Sequence, residues 1–225
     1  MGRKAPPPGA AQSDRSLLHS RRALQFHRGG ALPRSFYARE TELVARDMLG
    51  TILECETPAG TASGIIVETE AYLGEHDEAC HAVVGRTART EALYGPPGNS
   101  YVYFIYGMYW CFNAVTRDEG LPSAVLVRAL EPLEGIPLMQ RRRPSARTVI
   151  NLTNGPGKLC TALGITGSMS GKPLRRKPLI VREGERIPDD RIRTTTRIGI
   201  TRAADWPMRW LIDGNPFVSK GKLSA

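Results

Sequence analysis

Short apolar segments broken by glycine, proline and polar turns run along most of the chain, and they read as strands more often than as helices. Arg39 to Leu49 predicts a short helix, with Leu43, Val44 and Met48 apolar and Gly50 placed to stop it. Thr51 to Glu56 predicts a strand, and Thr57-Pro58-Ala59-Gly60 a turn into a second strand that ends at Glu70. Gly74 to Tyr94 is polar and mostly irregular, with a short helix expected near Asp77 to His81. Gly95 to Asn99 is a turn. Ser100 to Tyr106 and Tyr109 to Thr116 read as strands around Gly107, a tight bend or bulge, and Ser123 to Leu130 as another. Pro132 to Arg143 and Pro156 to Leu163 predict helices, the second with Gly164 at its end. Pro178 to Arg182 and Arg197 to Thr201 read as later strands. Strands and helices do not alternate and nothing repeats. The expectation is an α+β fold, a single domain with a mixed, mainly antiparallel curved β-sheet surrounded by short helices.

Charge changes this picture at one end. The 225 residues carry a formal net charge of +9. Residues 1–30 hold Arg3, Lys4, Arg15, Arg21, Arg22 and Arg28 against Asp14 alone, so they supply more than half of it. They are also rich in Pro, Gly and Ser. We expect 1–30 to be a basic, disordered leader with modest help to nucleic-acid binding, and 31–225 to be the folded domain. No apolar run reaches membrane-spanning length, and the first residues lack the apolar core of a signal peptide. A cytoplasmic protein with no membrane partner is the default. Cys55, Cys111 and Cys160 sit in apolar surroundings, as reduced core cysteines do. His76, Asp77, Cys80 and His81 cluster, but their spacing matches no familiar metal site and no second ligand pair follows; no metal is expected.

The chemistry concentrates in Gly64 to Tyr72. Ile65-Ile66-Val67 reads as a buried strand, and on an extended chain Glu68, Glu70 and Tyr72 share one face. Glutamate is rarely buried without a partner, so two of them on one face make an acceptor-rich wall, either solvated or functional. Arg128 lies in the apolar strand Val125 to Leu130 and needs a carboxylate; Glu68, Glu70 and Glu131 are the candidates. A structural salt bridge and an arginine that orients a catalytic glutamate fit it equally. Tyr101, Tyr103 and Ile105 alternate with Val102, Phe104 and Tyr106. Val102, Phe104 and Ile105 are expected to be packed. Tyr106, on the bend before Gly107, can project outward as aromatics that wedge between bases do. Asn113 must be hydrogen-bonded if buried, either structurally or for reading a base.

Together these segments resemble the alkyladenine (3-methyladenine) DNA glycosylase family. The likeness rests on Ile66 to Gly74, Asp77 to His81, Pro97-Gly98 with Tyr101 to Tyr103, Ile105 to Tyr109, Leu126 to Gly135 and Gly155 to Cys160. Arg197 to Ile200 and Pro216 to Ser219 add to it. It runs from Leu32 to Ser219, and so many motifs in one order make it specific. The resemblance implies a monofunctional, cofactor-free enzyme. It would flip alkylated or deaminated purines out of duplex DNA and hydrolyse the N-glycosidic bond. Carried over residue by residue, it makes Glu70 the general base and Arg128 a holder of the water and of Glu70. Tyr72, His81 and Tyr103 become walls that stack on the base, and Asn113 the discriminating amide. Tyr106 becomes the wedge, with Met108 beside it on the DNA-facing surface. A monomer on damaged double-stranded DNA is expected. The rival readings are a non-catalytic nucleic-acid-binding module, a metal hydrolase built on His76, Cys80 and His81, and a bifunctional glycosylase–lyase.

Overall fold

The computed structural model describes residues 29–220. The expected basic leader lies outside them except for Gly29 and Gly30. Nine strands make one sheet in which every pairing between strands is antiparallel: β1 (Ile52–Thr57), β2 (Gly60–Tyr72), β3 (Ser100–Ile105), β4 (Tyr109–Thr116), β5 (Ser123–Glu134), β6 (Arg175–Arg176), β7 (Leu179–Arg182), β8 (Ile192–Thr195) and β9 (Arg209–Ile212). The main order is β3-β4-β5-β2-β1-β7-β6, with β9 on β2 and β8 on β9. Among the described residues, five short α-helices accompany it: α1 (Arg34–Tyr37), α2 (Thr41–Asp47), α3 (Ile136–Arg142), α4 (Ile150–Thr153) and α5 (Pro156–Leu163).

The long strand β2 organises the domain. Its first half pairs with β1, from Gly60 to Ile65, and its second with β9, from Glu68 to Glu70. Along its other edge it pairs with β5. There the register slips three times, once between Ser63 and Gly64 and twice around Glu68, where Val67 is left unpaired on β2 and Arg128 on β5. Paired bulges of this kind bend a sheet and re-aim side chains. They fall where β2 changes partners, and they set Glu68, Glu70 and Arg128 side by side.

The two faces of the sheet differ in kind. One packs the main core: Ala71, Val102, Phe112, Ala114, Val125 and Val127 meet Val44 and Ala45 of α2 and Leu159, Cys160 and Leu163 of α5. Thr69, also on this side, gives its hydroxyl to the Ala45 carbonyl at 2.8 Å. The opposite face lines a cavity. All four cysteines are buried and unpaired with one another. Among the described residues no helix is long and apolar enough to cross a membrane.

Several local expectations are corrected. Asp77 to His81 form a turn, and the helical turns fall at His81–Val84 and Glu91–Tyr94 as 3-10 pieces. Pro132 to Glu134 stay extended because Pro132 and Glu134 pair with Gly64 and Ser63; the helix begins only at Ile136, after Gly135 turns at φ +74°. Arg197 to Thr201 is no strand, because its Ile198 N–H goes to a carboxylate and not to a ladder. Val102 is packed as expected, whereas Phe104 is 43% exposed beside Trp110 and Ile105 faces the cavity.

Candidate active site

Cross-strand register builds the cavity wall. Tyr72 stands opposite Ala124, Glu70 and Asn113 opposite Leu126, Tyr101 opposite Asn113, Tyr103 opposite Cys111 and Ile105 opposite Tyr109. Paired residues share a face, so this one surface collects Tyr72, Tyr101, Tyr103, Cys111, Asn113, Leu126 and Arg128. The turn bearing Cys80 and His81, Pro156 and Gly157 at the start of α5, and Ile198 to Ile200 close it to about 360 Å³. That volume suits a small flat ligand. Gly157 packs so closely on Tyr109 that a Cβ there would sit 2.9 Å from that ring's Cγ.

Both glutamates are fully buried, so the wall is not solvated. Glu70 Oε1 accepts from the Ile198 N–H at 2.8 Å; Oε2 accepts from the Tyr72 hydroxyl at 2.9 Å and from Arg128 Nη1 at 3.1 Å. Glu68 Oε1 accepts from Arg209 Nε at 2.6 Å, Ser219 Oγ at 2.8 Å and Arg128 Nε at 3.3 Å, and Oε2 from the Ser219 N–H at 2.6 Å. A carboxylate has about four acceptor positions. Among the described residues Glu68 has filled four and Glu70 three. The partners of Glu70 (Tyr72, Arg128 and Ile198) also line the cavity, whereas Arg209 and Ser219 do not. Glu70 does not itself line the cavity; it lies fully buried behind that lining, held by three residues of it and with an acceptor position to spare, and Glu68 anchors Arg128 from the other side.

Arg128 spans the two carboxylates. Burial works against its charge, but Glu70 and Glu68 outweigh burial and hold it above its ordinary value. Glu131, the third candidate partner, accepts instead from Asn215 Nδ2 at 2.9 Å. Burial, then the neighbouring Glu70 and Tyr103, push the Tyr72 hydroxyl far above the usual tyrosine range, so it stays protonated and donates.

His81 and Tyr103 meet edge to face at 4.4 Å, and His81 Nδ1 lies 2.9 Å from the Tyr101 hydroxyl. Asn113 Nδ2 donates to the Tyr101 carbonyl at 3.0 Å, so its amide is structurally held while facing the cavity. Tyr106 sits at φ +54° on the three-residue turn between β3 and β4. It is 77% exposed and Met108 64% exposed. Tyr106 is also at the cavity mouth; Met108 is at the hairpin tip and does not line the cavity. The sequence-predicted residues thus gather in one place, with Glu70 buried behind the cavity lining and Met108 at its margin.

Burial, reinforced by Arg89, lowers the His81 pKa from its ordinary 6.5. A lowered histidine favours the neutral fold. Its contribution is complete above the unfolded value of about 6.5 and is lost as pH falls through that value toward the folded one. Thermal melts should therefore show wild type losing more Tm than His81→Gln between about pH 7.5 and about pH 5. Equal losses would remove His81 as the cause.

His76, Asp77, Cys80 and His81 do not converge. Asp77 is taken by Arg197, and Cys80 lies 3.9 Å from the Pro122 carbonyl. Among the described residues no three His, Cys, Asp or Glu side chains come together as a metal would need.

Residues 35–216 match the family model for methylpurine-DNA glycosylase (MPG). This chain belongs to that family. Relatives from Myxococcus xanthus (47% identical over 193 residues, 84% of this chain and 94% of the relative), Methanoculleus marisnigri (48% over 192, 84% and 98%) and Salinibacter ruber (46% over 206, 86% and 98%) each carry the name "Putative 3-methyladenine DNA glycosylase". Sequence reasoning missed Asp77, Arg197, Ile198, Arg209 and Ser219 as supports of the site. The signal available was that Asp77, Arg197, Ile198 and Ser219 lie inside motifs already singled out.

Proposed function

We propose that this methylpurine-family DNA glycosylase flips a damaged purine into the cavity and hydrolyses its N-glycosidic bond, leaving an abasic site in an intact strand. The observation that supports it most is Glu70: a buried carboxylate directly behind an aromatic cavity, held by three residues of the cavity lining and with one acceptor position open. A water bound there gives a proton to Glu70 as its oxygen attacks C1′ of the sugar. The C1′–N bond breaks and its electron pair leaves with the base. Glu70, oriented by Arg128, Tyr72 and Ile198, also stabilises the positive charge that builds on the sugar. A cationic alkylated purine departs neutral and needs no separate acid.

Tyr72, His81 and Tyr103 enclose the flipped base, and Asn113 faces its edge. Tyr106, held outward by its left-handed backbone, fills the space the base vacates, with Met108 beside it. Among the described residues no lysine lines the cavity, which favours hydrolysis by water over a Schiff base and strand cleavage. The substrate class is 3-methyladenine, 7-methylguanine, hypoxanthine and ethenoadenine in duplex DNA, and the enzyme acts as a monomer.

Four duplex oligonucleotides, each with one of these lesions, test this in the presence of chelator. Strand scission only after alkali is the expected result. Scission without alkali would indicate a lyase, loss of activity in chelator a metal enzyme, and binding without product a non-catalytic module.

A further inference from the structure

Arg197 has no role in the chemistry above, yet neither it nor Asp77 has any exposed side-chain surface. Arg197 Nη1 donates to Asp77 Oδ2 at 2.5 Å and Nη2 to Oδ1 at 2.9 Å, a two-pronged pair. Nη1 also reaches the Ala71 carbonyl at 3.0 Å, and Nη2 the Ala203 carbonyl at 3.3 Å. The guanidinium carbon lies 4.8 Å from the centre of the Tyr72 ring and 5.9 Å from that of Trp206. Asp77 in turn accepts from the N–H of Leu73 and of Ala79, each at 3.1 Å.

This one pair therefore joins three pieces of the cavity wall. The first is the end of β2, with Tyr72. The second is the turn that leads to Cys80 and His81. The third is the Arg197–Ile200 segment, whose Ile198 N–H holds Glu70. Stability is a weak explanation for such a pair. Apolar residues often replace a buried ion pair at no loss, and the buried Arg197 Nε has no hydrogen-bond partner among the described residues. What the pair supplies is position.

We infer that Arg197, clamped by Asp77, is a positioning residue that fixes the Tyr72 ring and the Ile198 N–H about Glu70. This rests on Glu70 being the general base. Lysine at 197 keeps the charge but makes only a single-pronged contact, so the Ile198 segment should shift relative to Glu70. Displacements of about 1 Å cost roughly 10²-fold in rate.

The test is single-turnover excision by Arg197→Lys and Asp77→Asn, with enzyme saturating over a lesion duplex, alongside binding and melting measurements. A merely structural loss lowers the amplitude, because fewer molecules are active, and leaves the rate constant alone. The expected result is a rate constant lower by roughly 30- to 100-fold in both variants, with full amplitude and unchanged affinity for the duplex. A wild-type rate constant, or variants that simply do not fold, would overturn the inference. Glu70→Gln run in parallel separates the two claims. If it remains active, the base assignment fails whatever Arg197 does. If it is dead while Arg197→Lys is normal, only the clamp fails.

Discussion

Glu70→Gln is expected to bind lesion-containing duplex DNA as wild type does and to excise the base about 10²- to 10⁴-fold more slowly, the usual worth of a positioned general base. The amide keeps the volume of the carboxylate but not its capacity. Glu70 accepts on both oxygens, from Ile198 on one and from Tyr72 and Arg128 on the other. Glutamine has one oxygen, so its NH₂ must face either the Ile198 N–H or the Arg128 guanidinium. Some loss of stability accompanies the loss of rate for that reason. Gel-shift affinity and single-turnover excision on the same duplex keep the two effects apart. Excision within tenfold of wild type would remove Glu70 as the base.

Arg128→Met should produce the largest loss of stability. Arg128 is the cation shared by two fully buried carboxylates, at 3.1 Å from Glu70 and 3.3 Å from Glu68. Methionine fills most of the space and leaves Glu70 with no charged partner in contact, while Glu68 keeps Arg209 at 2.6 Å. Removing one member of a buried ion pair costs about 3–5 kcal/mol, because a charge stays behind uncompensated. With a urea m-value of about 2 kcal/mol/M, the midpoint should fall by about 1.5 M or more. Adding Glu70→Gln to Arg128→Met should recover part of the loss, since the stranded charge is then gone. A double variant as weak as the sum of the singles would argue against a shared cluster.

Much of the site could be read from local pattern, because its scaffold is a sheet with period 2. Glu70 and Tyr72 share a face, Tyr101, Tyr103 and Ile105 share a face, and Arg128 in an apolar strand demanded a carboxylate. The β3–β4 turn and the α5 boundaries followed from Gly107, Pro156 and Gly164 in the same way. What escaped was non-local. Ile198 and Ile200 give Arg197 to Thr201 the look of a strand. That segment is bent instead by Glu70, 128 positions away, and by Asp77, 120 positions away. Pro132 to Glu134 look like the start of a helix until Ser63 and Gly64 take them into the sheet. Phe104 shows the same limit: alternation gives its face, while what covers that face is decided elsewhere in the chain.

The two-faced sheet carries one further consequence. Along β4, Cys111 and Asn113 look into the cavity while Phe112 and Ala114 hold the core, and along β5 Leu126 and Arg128 alternate with Val125 and Val127 in the same manner. Residues that line the cavity and residues that hold the molecule together are neighbours in the chain but lie on opposite sides of one layer. Cavity positions such as Cys111 and Leu126 can therefore change without disturbing the packing behind them. In such an architecture the lining of the cavity can drift over evolutionary time with little penalty in foldedness.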